Sequence, residues 1–253
     1  MALTAKSLFL YGFEINEFNS SIDFRTTFGG TIYQATVDYG YYTFTQLKQK
    51  IKLAMEAAQP AYTFTLSMDR TISSGESNRV SFNTSAGYLE LLFLTGPRNA
   101  TAINQILGFN HADYTGTNFY VGSTNAGTIL IPELVGYSYL GPEHIRKVFG
   151  ALNISADGTK EALVWSVQRF FEVEFKHEPS LKVVTEWVDL MTWMIQQKPI
   201  EFTPMITNPT VFYEATLESS PGDGKGLGYK LTEMLPDFPF DYRTGMLNFR
   251  QIL

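Results

Sequence analysis

The chain has 253 residues, of which 44% are hydrophobic and only 17% are charged, and its net charge is −6 at neutral pH. This length allows one large domain or two modest ones. The acidic balance, with no run of basic residues, argues against a nucleic-acid partner. The absence of cysteine excludes both disulfide bonds and thiolate metal sites.

The N-terminal region predicts an arm over residues 1–30. Its start is too short and too polar for a signal peptide or a membrane span, so we expect a soluble chain without a span. Ser7–Phe24 is typical of two short strands around a turn at Glu17–Ser21. An apolar arm at a terminus completes either its own sheet or that of a neighbouring subunit. The alternative is an ordinary first strand.

The clearest helix of the first half lies between Thr43 and Ala58. Thr43 and Gln46 match a capping box, in which each side chain binds the backbone amide of the other residue. Pro60 ends the segment. Apolar residues recur at helical spacing and predict one buried face. These residues are Leu47, Ile51, Ala54, Met55 and Ala58.

Strand patterns surround this helix. Residues 32–37 and Tyr62–Met68 alternate between apolar and polar side chains, and Tyr88–Leu94 is apolar enough to be covered on both faces. We expect a second helix at Thr101–Leu107, ended by Gly108 in the left-handed conformation. Residues 31–141 are thus predicted to form an α+β domain.

The second half has a different pattern after a Gly-, Tyr- and Pro-rich boundary at Pro132–Pro142. A hairpin is predicted from Phe149–Ile154 and Ala162–Phe175, because a turn sequence separates them. A strong helix is expected at Leu181–Gln197. Further strands are expected at Thr210–Leu217 and Met246–Ile252. Residues 142–253 therefore form a second α+β domain in this prediction. The fold class is α+β, with mainly antiparallel sheet units that are each packed by one main helix.

Aromatic residues make up 15% of the chain, with 20 Phe and 14 Tyr. Low charge combined with many aromatic side chains indicates a protein that buries surface against partners. A β-rich domain explains the same composition, because aromatic residues favour strands.

Candidate sites for chemistry are weak. His111 and Asp113 could contact one metal ion, although a surface or capping role accounts for two ligands on a turn. The Gly222–Gly228 loop lacks the Walker spacing, and the residues after it do not open a helix, so it is interpreted as a loop and not as a phosphate site.

Glu172 and Glu174 share a strand face as a glycosidase pair might, but alternation with apolar neighbours also describes the wet face of a strand. Trp187 is expected in the core, whereas Trp193 is expected to be more exposed, at an interface or as a carbohydrate platform. Nucleophile motifs are missing from the sequence. We therefore predict no enzyme activity, no cofactor, no metal, and no catalytic or binding site residues.

Four short motifs carry a family resemblance. They are the helix start at Tyr42–Leu47, the Leu91–Gly96 segment, Ile106–Asn110 and Asp113–Gly116. Together with the opening residues Leu10–Phe13 and Ile22–Phe24, this order resembles structural proteins of tailed-phage virions, in the tail or baseplate. The resemblance covers about the first half.

This resemblance implies a structural subunit that associates with itself and with other virion proteins. It implies location in the virion after synthesis in the host cytoplasm. The arm at Leu8–Phe24 and the loop at Ser219–Gly228 are then expected to be assembly elements and not core. One alternative function is a receptor- or glycan-binding module of the virion. A glycan hydrolase is the other alternative.

Overall fold

The computed structural model describes residues 9–10, 12–69, 78–127, 143–154, 160–175, 178–179, 188–202, 212–219, 232–235, 238–243 and 245–252. The chain divides into two compact units. The first unit runs over Leu10–Leu130. The second is built mainly from residues after Leu130 and takes in Phe9.

Short strands dominate the N-terminal half. Strand β1 (Phe9–Leu10) belongs to the large sheet of the second unit. The first unit has one α-helix, α1 (Phe44–Ala58), and a 3-10 turn at Asn99–Thr101 among its described residues. Its strands are β2 (Phe13–Ile15), β3 (Ser21–Arg25), β4 (Tyr33–Thr36), β5 (Gly40–Tyr42), β6 (Phe64–Asp69), β7 (Arg79–Thr84), β8 (Leu89–Leu92), β9 (Asp113–Thr117) and β10 (Phe119–Val121).

Two antiparallel sheets enclose the core of the first unit. One has the strand order β4-β3-β8-β9, and the other has the order β10-β7-β6. On one side the chain passes from β9 to β10 across the single residue Asn118. On the other side α1 packs mainly on β4 and β6, which are the remaining edge strands. The helix thus covers two edges that would otherwise be free to pair with another chain.

Helix α1 forms as the sequence predicts. Thr43 accepts a hydrogen bond from the amide of Gln46, and the Gln46 side chain accepts one from the amide of Thr43 at 3.0 Å. Leu47, Ile51 and Met55 are fully buried, so the predicted apolar face is confirmed. At the other end the Glu56 carboxylate accepts a hydrogen bond from the amide of Phe64, the first residue of β6.

Aromatic rings fill the core between the sheets. Phe24 of β3 packs edge-on against Phe64 of β6, with ring centroids 5.1 Å apart. Further rings continue the cluster through Phe109 and Tyr114. The buried Tyr120 hydroxyl donates a hydrogen bond to the carbonyl of Leu89 at 2.7 Å and so links β10 to β8. Such ring pairs add about 0.5–1.5 kcal/mol each beyond the area they bury.

A buried ion pair organises the other face of β3. The Asp23 carboxylate accepts hydrogen bonds from both the backbone amide and the guanidinium of Arg98. The same guanidinium donates to the Thr36 hydroxyl and to the Ala35 carbonyl on β4. Asp23 is almost wholly buried, but its charge is compensated, as a buried charge requires.

Gly96 fits beneath this ion pair because it lacks a side chain. A Cβ atom at this position would lie 2.4 Å from the carbonyl oxygen of Leu92 and 2.8 Å from the Cβ of Asp23. The glycine in the motif Leu91–Gly96 therefore has a packing role.

The predicted helix at Thr101–Leu107 is wrong in type, because this segment forms a succession of turns. Its ending is nevertheless that of a helix. Gly108 has φ +75°, as predicted, and the amides of Gly108 and Phe109 bond to the carbonyls of Gln105 and Asn104. This pair of bonds is the Schellman pattern. Phe109 then turns into the core.

The structure corrects the prediction for the N-terminal arm. Phe13, Ile15, Ile22 and Phe24 belong to the buried core of the first unit. They pair with β5, β4 and β8 of their own chain. The expectation that Leu8–Phe24 lies outside the core is therefore wrong for these residues, because alternation in β2 and β3 directs their side chains inward.

The second unit is built on a six-stranded sheet. Its order is β1-β14-β15-β18-β12-β11, and its assigned strand pairs are antiparallel. A three-stranded sheet, β13-β17-β16, accompanies it, together with helix α2 (Val188–Ile195). The strands are β11 (Glu143–Ile154), β12 (Lys160–Phe175), β13 (Glu178–Pro179), β14 (Ile200–Phe202), β15 (Tyr213–Ser219), β16 (Thr232–Leu235), β17 (Phe238–Arg243) and β18 (Gly245–Gln251).

The predicted hairpin of the second half is present as β11 and β12, which pair from Ile154 opposite Lys160. The predicted helix at Leu181–Gln197 is described only over α2, and its first residues lie outside the described part of the chain. Across both units the chain is mostly antiparallel β-sheet with few helices, as the α+β prediction states.

Replacing Ile51 by alanine should lower the free energy of unfolding by about 2–5 kcal/mol, because it leaves a cavity under α1. Gln49→Ala, on the exposed side of the same helix, should cost less than about 0.5 kcal/mol. Urea denaturation of both variants measures the difference. Equal losses would contradict the assigned orientation of the helix.

Gly108→Asn should destabilise the first unit, although asparagine tolerates positive φ. A Cβ at Gly108 would lie 2.2 Å from the backbone carbonyl oxygen of Thr124, so the backbone would have to move. Gly29→Asn is the matched control, since Gly29 has φ +62° and open space around its Cα. Thermal denaturation should show a lower Tm for Gly108→Asn alone. A similar Tm for both variants would rule out the steric explanation.

Candidate interaction surfaces

Large apolar side chains remain exposed on the first unit despite its well-filled core. Among the described residues they occur in turns, on the outer side of α1 and on strands β5 and β10. They are Phe18, Phe28, Tyr39, Tyr41, Leu53, Leu94, Phe119 and Val121. Single exposed apolar residues are common on any protein surface, whereas contiguous groups mark interaction sites. The grouping therefore decides what these residues indicate.

The first group lies on strand β10. Phe119 and Val121 are 48% and 43% exposed, whereas Tyr120 between them is buried. The register places them opposite Asn83 and Ser81 of β7, on the outer face of the sheet. Ser67 of β6 continues this face, and its hydroxyl lies 2.7 Å from that of Ser81. Two large apolar side chains thus border an open face of small polar residues.

The second group lies at one end of the ribbon formed by β2 and β5. Ile15 and Gly40 form the last pair of the ribbon. The turn that carries Phe18 follows Ile15, and Tyr39 directly precedes Gly40, so both residues lie at this end of the ribbon. Tyr41 is opposite Glu14 in the register, and its hydroxyl lies 3.4 Å from that carboxylate. Phe18 and Tyr39 are the more exposed members of the group.

Phe28 is the most exposed of these side chains, at 85%. It lies in the turn between β3 and β4, and its ring contacts Tyr88 edge-on, with centroids 6.3 Å apart. The Tyr88 hydroxyl donates to the buried carboxylate of Glu90, which also binds Arg25 at 2.9 Å. This hydrogen bond raises the pKa of Tyr88 above its ordinary value, first among several causes. The Glu90 carboxylate therefore links Tyr88, the ring partner of Phe28, to the guanidinium of Arg25.

The proposed histidine and aspartate pair has a structural explanation. His111 is exposed, whereas Asp113 accepts hydrogen bonds from the Thr95 hydroxyl and from the amides of Leu94 and Thr95. Burial alone would raise the pKa of Asp113, but these hydrogen bonds outweigh it and hold the pKa below its ordinary range. Asp113 thus fastens the segment after β8 to the start of β9.

The expectation that Trp193 is exposed is wrong. It is buried, and its indole nitrogen donates to the carbonyl of Pro199 at 3.2 Å. The Lys198 ammonium lies 4.5 Å from the centre of its ring. Trp193 is therefore a packing residue of α2 and no exposed platform, because the chain after the helix folds back over it.

The structure describes only some of the remaining candidate site residues. Glu172 and Glu174 lie in β12, opposite Asn248 and Met246 of β18. Trp187, the Gly222–Gly228 loop and the predicted assembly segment after Ser219 lie outside the described residues. The part of the chain that the structure describes contains no group of three or more acidic or histidine side chains that could hold a metal ion. In that same part, no helix has the length and apolar character needed to cross a membrane.

Comparison with known proteins found no matching protein-family model, and no curated protein sequence matched the chain.

The sequence pattern predicts a strand over Phe119–Val121 but not which of its faces is exposed. Alternation shows that Phe119 and Val121 share a face, yet Tyr120 on the other face is equally apolar. Which of these two faces of β10 is buried depends on the neighbouring strands and not on the local sequence. For Phe28, the adjacent Gly29-Gly30 was the available signal, since a turn directs its flanking side chains to solvent.

The pH dependence of stability should report on Asp113. Because its folded pKa is depressed, its stabilising contribution is present above the unfolded pKa of about 3.9 and is lost as pH falls through the folded value. Asp113→Asn should therefore be less stable than the wild type at pH 7, and the difference should shrink below about pH 4. Urea midpoints at pH 7 and pH 3 measure it. Glu17→Gln, at an exposed turn, controls for the lost charge, and an Asp113→Asn deficit that stays constant with pH would refute the assignment.

Proposed function

We propose that this chain is a structural subunit of a tailed-phage virion, in the tail or baseplate, which associates with itself and with other virion proteins. The observation that carries the proposal is the grouped exposure of large apolar side chains on the first unit. Phe18 and Phe28 lie in turns and are 70% and 85% exposed, so neither ring fills the core. Burial between subunits supplies the reason for their presence.

The motifs that carry the resemblance support a structural role. Gly96 and Gly108 are required by close backbone contacts, and Asp113 fastens a loop. Tyr114 lies in the aromatic core, in contact with Phe93 and Phe109. These residues build the fold, so the pattern they form is one of architecture and not of catalysis. The proposal accordingly includes no enzyme activity.

Two finer statements belong to the same proposal. We propose that each unit is organised around one main helix, α1 in the first and the helix that contains Val188–Ile195 in the second. We also propose that the protein acts in the virion after synthesis in the host cytoplasm.

A glycan-binding role is the second candidate. One observation favours it: the exposed Tyr41 lies with its hydroxyl 3.4 Å from the Glu14 carboxylate, and Tyr39, two residues before it, is exposed as well. An aromatic face combined with a hydrogen-bond acceptor is a common way to hold a sugar ring. Loss of glycan binding in Tyr41→Ala, with self-association unchanged, would favour this candidate over the structural one.

Self-association provides the test. The wild-type mass should rise above the 28.5 kDa of one chain as concentration increases in sedimentation or light scattering. Phe28→Ser or Phe119→Ser should raise the concentration at half-association about tenfold or more if the residue is central to an interface. Thr27→Ser, in the same turn as Phe28, is the control and should associate like the wild type.

A chain that remains at 28.5 kDa at its highest soluble concentration, and that binds no other protein of a phage particle, would contradict the proposed function.

A further inference from the structure

The turn that follows β2 holds Phe18 in a defined backbone position, and we call residues 14–19 the Phe18 turn. The amide of Asn16 donates to the side-chain carbonyl of Asn19 at 2.7 Å, and the amide of Phe18 donates to the side-chain carbonyl of Asn16 at 2.9 Å. The Asn19 side-chain amide donates to the backbone carbonyl of Glu14 at 2.8 Å. The turn thus fixes a residue whose side chain is 70% exposed. A segment that is ordered before binding loses less conformational freedom when a partner arrives.

Two carboxylates of the Phe18 turn lack a cationic partner. Glu14 is partly exposed in β2, and Glu17 is exposed directly before Phe18. Neither of them forms an ion pair within the described residues. The other acidic residue at this end of the ribbon, Asp38, is already paired with Lys50 at 2.9 Å. The turn therefore carries two negative charges that the described part of the chain does not compensate.

Exposed rings next to carboxylates fit the arginine side chain best. A guanidinium donates two parallel hydrogen bonds to a carboxylate and also stacks on an aromatic face. The ribbon end offers both groups, since Tyr41 is opposite Glu14 in the strand register and Phe18 directly follows Glu17. The ammonium of lysine is more strongly hydrated and makes no planar pair of hydrogen bonds, so arginine is favoured over lysine.

The arginines of the chain itself do not suit this role. In the described part, the guanidinium groups of Arg25, Arg98 and Arg169 already donate hydrogen bonds within their own copy. Arg79 and Arg250 have interaction partners there as well. The net charge of −6 also gives a second copy no excess of positive charge to offer. The complementary charge therefore points to a different protein.

We propose that the Phe18 turn, together with Tyr41, binds an arginine-bearing segment of a different protein. This inference rests on that part of the proposed function in which the chain associates with other virion proteins. It names the surface used and the chemistry of the partner. The arginine pairs with the carboxylates and lies against the exposed rings, a combination in keeping with the enrichment of arginine and aromatic residues at interfaces.

The test titrates the full chain with the peptide acetyl-Gly-Arg-Gly-Arg-Gly-amide and follows its backbone amide NMR shifts. Shifts should change at residues 13–19 and 39–42 and stay constant in the inner strands β3 and β8. A peptide with citrulline in place of arginine keeps the shape without the charge and should bind about tenfold or more weakly.

Three variants separate charge from ring. Combining Glu14→Gln with Glu17→Gln should raise the Kd of the arginine peptide about fivefold or more, because both carboxylate acceptors lose their charge. Phe18→Ser should raise it about threefold or more, since the ring face is lost. Phe18→Tyr keeps the ring and should bind as the wild type does.

Four outcomes would overturn the inference. Equal binding of the citrulline peptide would show that charge does not select the partner. Equal shifts with tetramethylammonium chloride would assign the turn to small cations. Shifts that are spread over the first unit and unchanged in the variants would show non-specific attraction. A peptide that dissociates the self-associated wild type would show that a second copy occupies the turn.

The result also separates this inference from the proposed function. If the chain self-associates but the arginine peptide causes no shift at the Phe18 turn, the inference fails and the proposed function survives. If the peptide binds there while the chain stays at 28.5 kDa and binds no protein of a phage particle, the arginine site is supported and the proposed function is contradicted.

Discussion

The first unit depends on the covering of its sheet edges. The chain joins two short sheets between β7 and β8 and again between β9 and β10, and their edge strands β4 and β6 would each expose unpaired backbone groups if nothing covered them. Helix α1 lies on both strands, buries Leu47, Ile51 and Met55 between them, and caps the first amide of β6 with Glu56. The capping box at Thr43 fixes where the helix begins, and hence which of its faces meets the core. On the far side of β3 the pairing of Arg98 with Asp23 fastens the segment after β8 to the same sheet.

The enclosed core of the first unit explains why several large apolar side chains are left on its surface. Strands such as β6 and β7 place alternate side chains in the core, where the rings of Phe24, Phe64 and Phe82 are buried. Phe119 and Val121, on the opposite face of β10, and Phe28, in a turn, lie outside this core. The Phe28 ring keeps one edge-on contact, with Tyr88. Asp113, one of the chemistry-bearing residues that the sequence offers, is held by hydrogen bonds within the fold.

The sequence predicts much of this fold where a local rule is sufficient. The capping box, the apolar face of α1, the alternation of β6 and the positive φ of Gly108 all depend on neighbouring residues, and all are confirmed. It fails where distant contacts decide. The turns before Gly108 end as a helix ends, yet their amides and carbonyls find partners elsewhere in the unit, such as the bond from Ile103 to Ser21, and no α-helix forms. Trp193 is buried because Pro199 folds back to its indole nitrogen, which helical spacing alone does not show. The exposed groups around Phe119 and Phe18 depend on strand pairing, so composition does not indicate which apolar residues lie at the surface.

Hydrogen exchange at low and high protein concentration tests the central claim most directly, because it reports on the wild-type chain at individual segments. Amides in β3 and β8, the two inner strands of the sheet β4-β3-β8-β9, should be protected to the same degree at both concentrations. Exchange should slow with concentration in the turn around Phe28, in the ribbon end around Tyr39, or in the strand that carries Phe119 and Val121. That result would show association through the exposed apolar groups while the core stays unchanged. Exchange at these segments that is independent of concentration, in a sample whose mass shows association, would contradict the assignment of these surfaces.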